Sequence, residues 1–118
     1  MEYSSLIFVA AVIIFLIIRH MSLIKPAQAR QLAASGAIIV DVRTAGEYSG
    51  GHLEEALNIP LDTISGEIRK EVPDQNRAIL VYCLSGARSG IAVRMIKNLG
   101  YASVHNLGSL SRARGIFS

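Results

Sequence analysis

The sequence holds one cysteine, no tryptophan and three prolines, and only 18% of its 118 residues are charged. A lone cysteine, Cys83, excludes an intramolecular disulfide, a CxxC redox pair and a cysteine-built zinc cluster within one chain. The three histidines, His20, His52 and His105, stand far apart and offer no metal-ligand spacing, so no metal and no cofactor is expected. The excess of 12 Lys and Arg over 9 acids gives a net charge of +3, spread along the chain without a basic block, so no nucleic-acid partner is implied. What is plentiful is apolar: 51% of residues are hydrophobic, which excludes a disordered tail, a collagen or a disulfide scaffold. Outside the unbroken run Leu6 to Ile18, the composition is that of one small globular domain with a single core.

Tyr3 to Ile18 carries no charge. As a helix it would span roughly 24 Å, slightly short of a hydrocarbon core of about 30 Å, with Tyr3 and a snorkelling Arg19 making up the difference. A cleaved signal peptide needs a positive start and a small-residue cleavage site; here Glu2 is the only charge before the run, and Arg19-His20-Met21-Ser22 follows it. The expectation is therefore a single-pass transmembrane anchor over residues 1–21 and a globular domain over 22–118, export with a cleaved signal being the alternative. Arg19, Lys25 and Arg30 follow the run, so the positive-inside rule places the domain in the cytoplasm, where Cys83 would stay reduced.

The rest of the chain alternates strand and helix. Pro26 suits a first helical turn, and Ala27, Ala29, Leu32 and Ala33 continue at helical spacing to Ser35-Gly36. Ala37 to Val42 is rich in β-branched residues and reads as a buried strand. Thr44 caps a short helix through Tyr48 that Gly50-Gly51 ends. Ala56 to Ile59 is a short strand stopped by Pro60, and Leu61 to Val72 one or two short helices. Ala78 to Tyr82 is the second strong strand, followed by an amphipathic helix through Leu99 that starts near Ser89. Ser103 to His105 reads as a brief last strand and Ser109 to Ser118 as a weak helix or tail. This order predicts an α/β domain built on a small parallel sheet.

Cys83 directly follows the strand Ala78 to Tyr82 and directly precedes a glycine-containing turn into a helix. Ligands of open α/β sheets bind at the carboxyl ends of strands, where loop N–H groups and a helix N-terminus converge. The segment Leu84-Ser85-Gly86-Ala87-Arg88-Ser89 can curl its N–H groups into an anion nest, Gly86 supplying any left-handed conformation. Together with Arg88 and the helix dipole, such a nest lowers a thiol pKa and makes a nucleophile. Tyr82 precedes Cys83, so no neighbouring histidine serves as base. A buried, inert cysteine at a strand end is the competing reading.

These residues make the chain resemble the single-domain rhodaneses, thiosulfate-type sulfurtransferases, from Ser22 to Leu107. Two stretches carry the match: Asp41-Val42-Arg43, Glu47-Tyr48, Gly51-His52-Leu53 and Asn58-Ile59-Pro60-Leu61; and the loop Cys83 to Ser89. The resemblance implies a parallel sheet with helices on both faces. It implies further that Cys83 takes a sulfane sulfur from a small anionic donor, thiosulfate or a persulfide, holds it as a persulfide, and passes it to a thiol, cyanide or a protein acceptor. Leu84, Ser85, Gly86, Ala87 and Ser89 would cradle the sulfur and Arg88 would position the donor. Related phosphatases and arsenate reductases carry one residue more between Cys and Arg than the four here, Leu84 to Ala87, so the smaller ring favours sulfur.

Asp41, Arg43, Glu47 and His52 suggest a catalytic cluster, but they are expected to brace the sheet edge, with Arg43 and Asp41 supporting the site at most. Two departures from the family pattern stand out. Glu55 occupies a position where glycine is common, and Asn106-Leu107-Gly108-Ser109-Leu110 replaces a glycine pair leading to a tryptophan. A rhodanese fold that merely docks or senses a partner is therefore the alternative function.

Overall fold

A computed structural model describes residues 2–21 and 23–118. Helix α1, Glu2–Met21, presents exposed side chains from Tyr3 through Leu16. Among the described residues no helix is long and apolar enough to cross a membrane. This overturns the expected single-pass anchor, the membrane as a partner and the cytoplasmic placement that rested on it. The physical reason lies in length: the apolar run Leu6 to Ile18 makes about 20 Å of helix against a hydrocarbon core of about 30 Å, and Ser4, Ser5 and Glu2 precede it. The side chains of Arg19 and His20, and the domain's expected first residue Ser22, lie outside the described residues.

Pro26 opens α2, Pro26–Ala34, where its missing N–H costs nothing. Strand β1, Ile38–Asp41, leads to α3, Ala45–Ser49, whose start is a capping box. Thr44 Oγ1 accepts the Glu47 N–H at 3.2 Å, while the Thr44 N–H donates to Glu47 Oε1 at 3.0 Å. Strand β2 is only Leu57–Asn58, shorter than the sequence suggests because Pro60 and a 3₁₀ turn, Leu61–Thr63, follow at once. Helix α4, Ile64–Glu71, strand β3, Ile79–Cys83, and helix α5, Ala87–Asn98, come next. Strand β4, Val104–Ser109, is twice the predicted length and runs directly into α6, Leu110–Phe117, where Ser109 Oγ caps by accepting the Arg112 N–H at 3.0 Å.

The four strands form one parallel sheet in the order β2-β1-β3-β4. Alternate residues face opposite sides. Val40, Ile79, Val81 and Cys83 meet Ile64, Ile68, Ala92 and Ile96 of α4 and α5 on one face, while Leu80, Tyr82 and Leu107 meet Ala29, Ala113 and Ile116 of α2 and α6 on the other. The terminal segment read as a weak helix or tail is thus a buried part of the second face. Two parallel neighbours, β1 and β3, end side by side with Asp41 opposite Tyr82, which puts Asp41 next to the strand end that carries Cys83.

Glu55 is the one non-glycine residue with positive φ among the described residues, at 67°. A side chain in that region is strained, whereas glycine is not, although glycine loses more freedom on folding. Glu55→Gly is therefore expected to stabilise the domain by about 0.5–1 kcal/mol in urea unfolding; an unchanged or lower midpoint would refute the strain.

Candidate active site

Cys83 is the last residue of β3 and is fully buried. The chain then turns through Leu84, Ser85 and Gly86 into α5. Gly86, the N-cap, has φ 99°, a left-handed conformation that calls for glycine, while a Cβ there would only touch the Gly108 backbone at 3.4 Å. The curl points the Gly86 N–H at Cys83 Sγ, 3.0 Å away. Burial pushes the thiol pKa up, but the Ser89 hydroxyl and the N–H groups of Ser89, Gly86 and Ser85 outweigh it and leave the thiol below its ordinary value. The outer side of the loop is open: Leu84 is 57% exposed, and Ser85 and Ala87 are exposed as well.

Ser89, fully buried, sits beneath the loop. Its Oγ lies 2.7 Å from Asn106 Oδ1 and 3.0 Å from the Gly86 carbonyl. Asn106 Oδ1 also accepts the Gly108 N–H at 2.8 Å, and its amide donates to the Gly86 carbonyl at 3.4 Å. Asn106 thereby ties β4 to the loop that follows Cys83. The sequence offered no sign of this role, because Asn106 reads only as part of an altered strand end.

Arg88 does not stand free over the loop. Its Nη1 and Nη2 donate to Glu47 Oε1 and Oε2 at 2.7 and 3.0 Å, a bidentate pair between α5 and α3. Arg88 holds the Glu47 carboxyl down at about 2, the capping-box N–H of Thr44 adding to the effect. Thr44 as a helix cap was expected from the sequence; the partner of Glu47 on α5, 41 residues away, was not.

Asp41 and Arg43 bind each other rather than the loop. The Arg43 Nη2 reaches Asp41 Oδ2 at 2.7 Å and the Gly51 carbonyl at 2.7 Å, and its Nε spans both carboxylate oxygens. Tyr82 completes this buried group, its hydroxyl accepting the Leu53 N–H at 3.0 Å, with its pKa raised to about 12 chiefly by burial. His52 is exposed, stacks on Tyr48 with ring centroids 3.6 Å apart and faces the Tyr48 carbonyl. Among the described residues no group of His, Cys, Asp and Glu could hold a metal ion. An open cleft of about 510 Å³ lies elsewhere, lined by Ile39, Leu53, Arg114 and Phe117, and does not include Cys83.

The sequence matches the rhodanese-like domain family over residues 25–111. It is 39% identical over 71 residues to the thiosulfate sulfurtransferase PspE of Escherichia coli (strain K12), covering 60% of this chain and 68% of that protein. It is 31% identical over 84 residues to the thiosulfate sulfurtransferase GlpE of Pseudomonas entomophila (strain L48), covering 71% and 75%. Among solved structures, a rhodanese with anions from E. coli superposes with a TM-score of 0.64 at 36% identity, covering 65% of this chain and 91% of that one.

Proposed function

The chain belongs to the rhodanese-like domain family, a family of sulfurtransferases, and we propose that it carries a sulfane sulfur on Cys83, with residues 22–118 as the unit that does so. The observation that carries this reading is the Cys83 sulfur at the carboxyl end of β3, facing the Gly86 N–H at the start of α5. A thiolate there is held by hydrogen bonds rather than by a base.

In the first half-reaction the Cys83 thiolate attacks the outer sulfur of the donor. With thiosulfate, the new Cys83 S–S bond forms as the donor S–S bond breaks, and sulfite leaves with the electron pair. The product is a Cys83 persulfide anion, whose terminal sulfur accepts from the N–H groups of Ser85, Gly86 and Ala87. In the second, a thiolate or cyanide attacks that terminal sulfur, and Cys83 leaves as the thiolate. Charge and electrons balance in both steps without a cofactor. Leu84, Ala87 and Ser89 shape the cradle, and Arg88 stands at its mouth.

Intact-mass measurement of the full chain, treated first with thiosulfate or an alkyl persulfide and then with cyanide, tests this beside Cys83→Ser. The expected result is the gain of one sulfur atom on the parent chain alone, removed by cyanide. A folded chain with a free thiol that gains no sulfur from either donor would sink the reading and favour a docking module.

A further inference from the structure

Arg88 is the one cation of the loop Cys83 to Ser89, and its charge is already answered by Glu47. The charges acting on Arg88 are those of Glu47 first, then Cys83 and Asp41, and Asp41 is itself paired with Arg43. What remains to attract an anion is the set of loop N–H groups and the N-terminus of the twelve-residue helix α5, equivalent to about half a positive charge. That suffices for one negative charge, the thiolate or the persulfide anion that Cys83 itself carries. It is insufficient for a thiolate and an approaching dianion together, because like charges a few ångströms apart in a partly dry site repel strongly.

Resting on the sulfur-transfer reading above, we propose that Glu47 sets the donor class: by neutralising Arg88 it selects uncharged or singly charged persulfides over dianionic thiosulfate. With a persulfide RS–SH as donor, the Cys83 thiolate takes the outer sulfur, the donor S–S bond breaks, and the thiolate RS⁻ leaves with the electron pair. No second negative charge enters the cradle. Glu47 is suited to this role because it is held in place independently of Arg88. The Thr44 N–H at 3.0 Å and the Thr44 hydroxyl at 3.2 Å both bond Oε1, so the carboxylate waits at the mouth whatever the donor does. Glu47→Gln keeps an oxygen for the cap, removes the charge, and turns an amide donor toward a guanidinium that cannot accept from it. Arg88 is then free to swing to the donor.

The test reads the loading of Cys83 by rapid-quench mass spectrometry on the full chain, with thiosulfate and with 2-hydroxyethyl persulfide as donors. The parent chain is expected to load more efficiently from the persulfide. In Glu47→Gln the half-saturating thiosulfate concentration is expected to fall about tenfold, while loading from the persulfide changes by less than about threefold. Thr44→Val, which weakens the cap but keeps the Glu47 charge, should lower Tm and leave the donor ratio where it is. Equal shifts for both donors, a weaker response to thiosulfate in Glu47→Gln, or a Thr44→Val shift matching that of Glu47→Gln would overturn the proposal, leaving Glu47 a brace for Arg88. Absence of loading from both donors in the parent chain would instead overturn sulfur transfer itself, and this inference with it.

Discussion

Breaking the Asp41–Arg43 pair is expected to destabilise the domain by about 3–5 kcal/mol, whichever partner is removed. Both residues are buried, Asp41 completely and Arg43 to 4% exposure, and three side-chain N–H···O contacts of 2.7 to 3.1 Å join them, while the Arg43 backbone N–H adds a fourth bond to Asp41 at 2.9 Å. Arg43→Met would leave a carboxylate buried without its counter-ion; Asp41→Asn would leave a guanidinium in the same position. The cost comes from the stranded charge rather than from the net value of the pair. Hence the double variant Asp41→Asn with Arg43→Met should lose markedly less than the sum of the two singles. Urea unfolding of all four proteins measures this. Single variants within about 1 kcal/mol of the parent would show that the pair is not the buried brace described here. The effect reaches function by position, because Arg43 also holds the Gly51 carbonyl and Tyr82 holds Leu53, fixing the turn beside the carboxyl ends of β1 and β3.

Removing the Ser89 hydroxyl is expected to slow sulfur loading near neutral pH about tenfold, a hydrogen bond to a charged group contributing about 1.5–3 kcal/mol. Ser89 is the foremost of the groups that draw the Cys83 thiol down against the upward push of burial. The sign follows: a lowered thiol pKa means that the reactive thiolate persists as pH falls below the range of an ordinary cysteine, and is lost only when pH drops through the lowered value. Without the hydroxyl, burial meets less opposition and the thiolate is lost at higher pH. Ser89→Ala should therefore shift the pH profile of loading toward alkaline pH, with the rate recovering where the thiol is fully ionised. Thiolate ultraviolet absorbance, followed as a titration, reports the same shift independently of any donor. A slower variant with an unmoved pH profile would mean that Ser89 shapes the loop but does not charge the sulfur. The fold should tolerate the change, since Asn106 Oδ1 keeps the Gly108 N–H and the Asn106 amide keeps the Gly86 carbonyl.

The element order, the sheet's parallel character and the stretch Cys83 to Ser89 as a candidate site were legible because each rests on neighbours in sequence. A buried strand, a glycine and a helix start lie within ten residues, and their periodicities change where the structure changes. Thr44 as a helix cap was legible for the same reason. The last strand and helix were underestimated although Leu110, Ala113 and Ile116 recur at helical spacing, because a single short stripe of this kind does not say what it packs against; it is a buried face only where α2 and the sheet lie against it. The apolar start of the chain misled in the opposite direction. Composition registered the absence of charge, whereas spanning depends on length, and thirteen apolar residues are too few.

By itself, the sequence determined that this chain forms one α/β domain with a single cysteine at a strand-to-helix loop. Backbone propensity and local turn chemistry act over a few residues and leave their mark there. Only the tertiary structure decided what surrounds that cysteine. Glu47 meets Arg88 across 41 residues and Asn106 meets Ser89 across 17, contacts that require the packing of α3, α5 and β4 around one sheet edge. The charge at the mouth of the cradle and the place of the hydroxyl beneath the loop come from such pairs. Side-chain partners of this kind are fixed by how strands are ordered in space, which no window of sequence contains.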